Sequence, residues 1–329
     1  MGARRRSTTV AAVGLAVVVL GSGAGLTLAT LTTSATLGSN AFTAAASFDT
    51  IAPTVSATVI SKSTPYFASY VKPAGTYYVY ANATDGGAVP SGIATIKADV
   101  SAITTGSTAV SLTSGVYAAV EGITYGWRSS LLTATTPLTA GAKTYTITST
   151  DVNGNSRLQT AFPVNVDNTV PAATDIQTAN GGATVGRIEL GDSITYTFND
   201  VIDPESILTG WTGASTNVVV RFTNAGTSDT YAVYDGTNTT LLKLGTVNTK
   251  GNYVTAATTA GVGAAPSTMV LNTATNKITI TLGTVTGAPA TDAANRTAAW
   301  TPVATAFDRA GNAMSATLVN ETGTADPDF

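Results

Sequence analysis

From residue 52 onward the chain reads as short runs in which apolar and polar side chains alternate. Thr76–Thr84 sets Tyr77, Val79, Ala81 and Ala83 on one face and Tyr78, Tyr80, Asn82 and Thr84 on the other, the period-two signature of a half-buried strand. Residues 143–151 behave likewise, with Tyr145, Ile147 and Ser149 facing inward. The same pattern predicts strands over 54–60, 93–100, 109–112, 116–120, 124–132 and 158–166, punctuated by Gly106, Ser114-Gly115 and Gly122. About eight strands at this spacing indicate a β-sandwich. Tyr145 after Leu138-Thr-Ala-Gly141 fits either a tyrosine corner, its hydroxyl tied back to the preceding loop, or a plain core aromatic.

The second half repeats the style more loosely. A Gly191-Asp192 turn opens a strand over 193–198, and Asp203-Pro204-Glu205 predicts a brief helical turn. There Asp203 caps, Pro204 takes the first helical position, and Glu205 faces the positive end. Further strands are expected over 218–222, 230–234, 241–244, 269–271, 278–282 and 300–307, with 255–267 and 283–297 as long loops. Asp151-Val-Asn-Gly154-Asn155 is echoed by Asp308-Arg-Ala-Gly311-Asn312, each between alternating segments. Both read as hairpin turns near a domain's end, and two copies imply two domains of related build. The expected division is a leader over 1–29, an extended segment over 30–51, one sandwich over 52–169, a second over 170–322 and a tail over 323–329, with 167–171 as linker.

Composition sharpens the fold class to all-β. The chain is rich in Thr and Val, which favour pleated, half-buried positions, and carries only four Glu and seven Lys. Cys and His are both absent, which excludes disulfides, Ser–His–Asp and Cys–His catalysis, and histidine-ligated zinc or haem. Formal charge is −3, and it becomes more negative without Arg4, Arg5 and Arg6. A weakly acidic chain with few cations is a poor partner for nucleic acid or anionic lipid. The start itself is basic, then apolar from Val10 to Leu20, then small-residue rich, the order of a secretory signal. Residues 10–31 are also long enough to remain as a membrane anchor; contact with a membrane is expected through this segment alone.

Gly25-Leu-Thr27-Leu-Ala29, followed by Asn40-Ala-Phe42-Thr-Ala44 and Phe48-Asp49, resembles the N-termini of the SipW-dependent family, the camelysin- and TasA-like exported proteins of Gram-positive bacteria. The resemblance implies cleavage after Ala29, with Thr27 and Ala29 filling the peptidase's two small pockets. Leu31 and Ala45 depart from the aromatic residue and the Gly of that pattern. From the residues alone, cuts after Ala24, Ala29 or Ala35 all stay open. Ala83-Thr84-Asp85-Gly86-Gly87 before Ser91-Gly92-Ile93 resembles bacterial Ig-like surface modules, and 191–198 before Ile202-Asp203-Pro204-Glu205 resembles the Ig-like repeats of S-layer and adhesin-type proteins. These resemblances imply two tandem Ig-like sandwiches at a bacterial cell surface.

Candidate chemistry is sparse. Asp85, Asp151, Asn153, Asn155 and Asp167 are oxygen donors at loops of the first sandwich and suit Ca²⁺, the one cofactor the chain's donors fit; turn chemistry explains the same residues. Asn199, Asp200, Asp203 and Glu205 read as helix-cap residues before a metal set. Trp127 and Trp300 sit in strands and read as core, whereas Trp211 follows Thr209-Gly210 in a loop and, with Tyr231 and Tyr234, is a candidate ligand contact. The four glutamates form no recognisable glycosidase pair. The expected function is an exported, non-catalytic cell-envelope protein, a structural or adhesive spacer whose loops meet a cell-wall or surface glycan or protein. Two alternatives are a fibre subunit that self-associates by donating 31–49 as a strand, and a carbohydrate-binding module.

Overall fold

The computed structural model describes residues 36–37, 40–41, 48–62 and 67–329. A two-residue ladder joins β1 (Thr36–Leu37) to β2 (Asn40–Ala41). Asp49–Phe329 forms one compact unit. Among the described residues no helix is long and apolar enough to cross a membrane. Thr27, Ala29 and the rest of the expected leader, and most of the expected donor strand, lie outside the described residues.

Among the described residues, the first sandwich is built from nine strands. In one layer β3 (Thr54–Ser61) pairs β5 (Thr76–Thr84), followed by β8 (Trp127–Ser129) and β7 (Val110–Ser114). The ladder continues through β6 (Ile93–Asp99), β10 (Gly141–Asp151), β11 (Ser156–Val166) and β4 (Tyr70–Val71), while β9 (Leu132–Thr133) pairs β5. Every pairing is antiparallel except β4 on β11. A first segment shared between the two layers, with its second half parallel to the last strand, is an Ig-like arrangement. Ile60, Tyr77, Val79, Ile96, Ile147 and Val164 meet between the layers. Side chains of β11 stitch it to β3: Gln159 Nε2 donates to the Val55 carbonyl (3.1 Å), the Val55 amide donates to Gln159 Oε1 (2.6 Å), and Arg157 Nη1 donates to Thr54 Oγ1 (3.1 Å).

Alternation placed these strands well, with one correction and one open choice settled. Residues 116–120 form no strand; Val120 and Tyr125 pack on Tyr80 and Val59, covering the outer face of β5. Tyr145 is a core aromatic, since its hydroxyl meets Thr58 Oγ1 on β3 at 3.0 Å instead of the preceding loop.

The second sandwich starts with the same neighbours, β12 (Ala173–Ala179), β13 (Ser193–Phe198), β19 (Lys277–Thr281) and β18 (Ser267–Asn272). It then runs on through a meander of β14 (Thr216–Thr223), β15 (Thr230–Asp235) and β16 (Leu241–Asn248), and closes with β21 (Ala299–Thr301) and β22 (Val319–Asn320). Residues 255–267 and 283–297 are not wholly irregular: β17 (Thr258–Ala260) and β20 (Val285–Thr286) pair with each other across them. Helix α1 (Pro204–Ile207) forms as expected, with Asp203 Oδ1 accepting from the Glu205 amide at 3.1 Å. The core gathers Tyr196, Phe198, Phe222, Ile278, Ile280 and Trp300. Residues 323–329 end in this core, with Phe329 stacked edge-on to Phe222 and Tyr253.

The β15–β16 turn provides a test of pH response. Asp235 Oδ1 accepts from the amides of Thr239 (2.8 Å) and Thr240 (3.0 Å). Those bonds hold its carboxyl down at about 2. A folded pKa below the unfolded value of about 3.9 means the ionised form stabilises the turn; that contribution is present above about pH 4 and lost as pH falls through 2. A carboxyl-detected NMR titration should show the Asp235 midpoint near 2 and loss of the Thr239 amide's protection together with it. A midpoint near 4 would contradict this account.

Candidate functional site

Each sandwich carries three carboxylates at the pole where its first strand begins. In the first, Asp49 precedes β3, Asp85 follows β5 and Asp151 ends β10; one oxygen from each lies within 4.8 Å of the others. The hairpin turn organises them. Asn155 donates from its amide to Asp151 Oδ1 (2.8 Å) and from Nδ2 to Asp151 Oδ2 (2.7 Å) and the Asp49 carbonyl (3.1 Å). Asp49 accepts from the amides of Ile51 (3.0 Å) and Ser91 (2.7 Å), which hold its carboxyl below the usual range. Asp85 Oδ2 takes the Gly92 amide at 2.7 Å, and its Oδ1 is buried without a partner.

The second sandwich repeats the contacts of the turn and of the acid that precedes the first strand. Asp167, Asp200 and Asp308 lie within the same 4.8 Å. Asn312 donates to Asp308 Oδ1 (2.8 Å), Asp308 Oδ2 (2.7 Å) and the Asp167 carbonyl (3.0 Å), and the Thr169 amide caps Asp167 at 3.0 Å. In both turns the glycine, Gly154 or Gly311, has a φ near +90°, a conformation glycine adopts at little cost. Burial pushes the Asp308 and Asp200 carboxyls up.

The two turns differ at two positions, Val152 against Arg309 and Asn153 against Ala310, and the first of these changes the charge. Arg309 follows Asp308 and sets Nη2 3.5 Å from Asp200 and 3.9 Å from Asp167, with its guanidinium 4.2 Å over the Tyr70 ring of the first sandwich. The equivalent Val152 is 66% exposed, and among the described residues no ion pair reaches Asp49, Asp85 or Asp151. Of these two triads, the first is therefore the one whose hard oxygens could hold a divalent cation. Val152→Arg should supply the missing charge and raise stability by about 0.5–1 kcal/mol at low ionic strength, a gain that fades in 1 M salt. Unchanged urea midpoints at both salt levels would show that this triad lacks no counter-charge.

The structure thus divides the five expected calcium residues. Asp85 and Asp151 come together and Asn155 braces them, but Asn153 is exposed with no contact to either. Asp167 belongs to the opposite pole, because β11 carries the chain away from the Asp151 turn before Asp167 is reached. Asp49 was missed. Its signal was present, since Asp49-Thr-Ile-Ala-Pro53 echoes Asp167-Asn-Thr-Val-Pro171.

The second triad also sits in the seam between the sandwiches. Lys62 Nζ pairs with Asp203 Oδ2 at 2.7 Å and donates to the Arg309 carbonyl at 2.6 Å; Lys72 Nζ donates to the Gly311 carbonyl at 2.6 Å. A cleft of about 560 Å³ opens beside them, lined by Lys62, Lys72, Asp203, Glu205, Lys243 and Phe307.

The expected aromatic contact does not assemble. Trp211 is 4% exposed, with Nε1 donating to the Ala214 carbonyl at 2.6 Å, and Tyr231 is buried against Phe222. Only Tyr234 is half-exposed, and Arg221 lies 3.7 Å over its ring. All four glutamates serve loops: Glu121 accepts the Ala68 amide, Glu189 those of Ala183 and Thr184, Glu205 that of Gly210 and Glu321 that of Ala298. None is paired across a cleft as glycosidase chemistry requires.

The strand order defines the class: an all-β protein of tandem Ig-like sandwiches. Among solved structures, the D00-D0 domain of Intimin is 15% identical, with 82% of this chain and 100% of that one covered at a TM-score of 0.22. The SGBP-B protein of the Bacteroides ovatus mixed-linkage glucan utilization locus, solved with a mixed-linkage heptasaccharide, is 14% identical over 80% of this chain and 44% of its own, at a TM-score of 0.18. A structure titled BspA_C_WT is 13% identical over 80% and 97%, at 0.20. No protein-family model matches the chain, and no curated protein matches it. Likeness at this level carries no function across.

Proposed function

We propose that this is an exported, non-catalytic protein of the bacterial cell envelope, in which two Ig-like sandwiches act as a stiff spacer and present loops to a surface glycan or protein. The observation that carries the reading is the seam. Lys62 and Lys72 of the first sandwich reach the Arg309 and Gly311 carbonyls and buried Asp203 of the second, while Arg309 lies over Tyr70 of the first and donates to its hydroxyl at 3.1 Å; a junction so bonded resists the hinge motion usual between domains. In this reading calcium at Asp49, Asp85 and Asp151 would stiffen the other pole in the same way.

The absence of cysteine makes a direct test clean. Spin labels at Thr113→Cys and Thr286→Cys, both exposed positions on different sandwiches, should give a single narrow distance distribution. On intact cells of the native host, a membrane-impermeant maleimide should label either cysteine. A broad distribution would defeat the spacer reading, and labelling only after lysis would defeat the surface location.

A further inference from the structure

A third group of carboxylates lies away from both poles, where the last residues cross the second sandwich. Glu321, Asp326 and Asp328 each place an oxygen within 4.8 Å of the others. Glu321 and Asp328 are buried. Asp328 is 0% exposed; its Oδ1 takes the Thr178 hydroxyl at 2.7 Å, while its Oδ2 is buried with no hydrogen-bond partner. Glu321 commits only Oε2, to the Ala298 amide at 3.0 Å. The Tyr231 hydroxyl, also buried without a partner, feels the charges of Asp328 and Glu321. Arg296, whose charge reaches Asp328, is engaged by Asp292 at 2.8 Å. Among the described residues no ion pair reaches any of the three acids.

Three carboxylates this close, two of them buried and Asp326 exposed, do not all stay ionised without a cation. Calcium binds hard oxygens at about 2.3–2.6 Å, so ligands around one ion lie up to about 5 Å apart, the spread found here. We propose that Glu321, Asp326 and Asp328 form a divalent-cation site of the calcium class, and that the ion clamps the last strand segment onto the sandwich. The segment it would clamp is held meanwhile by scattered bonds: Gln177 Nε2 to the Thr322 carbonyl (2.8 Å), the Arg296 amide to the Asp326 carbonyl (2.8 Å) and the Gly186 amide to the Phe329 carbonyl (2.7 Å). The proposal is independent of the protein's surface role.

Hydrogen exchange read by mass spectrometry localises the effect, which separates it from any ion at the Asp49 triad. On the whole chain, 1 mM Ca²⁺ against chelator should slow exchange of the peptide covering 319–329 by about tenfold. Asp328→Asn should abolish that response while slowing exchange in chelator, because it removes repulsion without changing shape. Asp151→Asn should leave the response intact. Equal exchange of this peptide with and without Ca²⁺ in the wild type would overturn the site, leaving acids that share protons. Persistence of the full response in Asp328→Asn would overturn it as well.

Discussion

Lys62→Met should destabilise the protein by about 3 kcal/mol and loosen the seam between the sandwiches. Lys62 Nζ is the charge partner of Asp203, 2.7 Å away, whose side chain is 3% exposed. Removing one member of a buried pair leaves the other charged and desolvated, which costs about 3–5 kcal/mol. The lower end applies because the Lys62 side chain is 20% exposed. The Arg309 carbonyl loses its donor as well. Asp203→Asn on the same background should recover at least half the loss, since an Asn still accepts the Glu205 amide but leaves no stranded charge. Urea unfolding of the two variants measures the difference. The spin-label distance distribution between Thr113→Cys and Thr286→Cys should broaden in Lys62→Met alone. A loss under about 0.5 kcal/mol would place this pair with solvent-screened surface bridges.

Trp300→Ala should cost about 4 kcal/mol, at the scale of large-to-small changes in a packed core. The indole is 0% exposed, stands edge-on to Tyr196 (4.9 Å between ring centres) and Phe198 (5.3 Å), and donates from Nε1 to the Leu244 carbonyl at 2.6 Å. It joins β21 to the β13 and β16 layers, so its loss opens a cavity and leaves a buried carbonyl short of its donor. Trp300→Phe keeps most of the volume and should cost about 1–2 kcal/mol, the part owed to that bond and the smaller ring. Urea midpoints of the two variants separate the contributions. Equal losses would mean that packing volume contributes little at this site.

Much of the build was legible because it is local. Period-two alternation over 76–84 and 143–151 follows from the pleat itself, so Tyr77, Val79, Tyr145 and Ile147 face the core as read. The Asp203-Pro204 cap is a contact between near neighbours, and the Asp151 and Asp308 turns are five-residue objects. Where reading failed, the deciding contact was distant. Residues 116–120 alternate like a strand, but the open outer face of β5 claimed Val120 as a cover over Tyr80. Trp211 sits in a loop, yet its ring is buried in the core that the distant strands of the second sandwich form.

The carboxylates show the boundary best. Asp151 and Asp167 are close in sequence, but the intervening β11 spans 11 residues, and at about 3.3 Å per residue it sets them roughly 35 Å apart. Asp49 and Asp151 are far apart in sequence and share one pole. Nothing in the spacing of Glu321, Asp326 and Asp328 signalled that two of them would be buried. The amino-acid sequence by itself determined the all-β class, the turn chemistry and the absence of histidine and cysteine chemistry, because each depends on residue type and near neighbours. Only the tertiary structure decided which acids meet, which cluster Arg309 serves and which stay without a partner, because those depend on strand lengths and register summed over the whole chain.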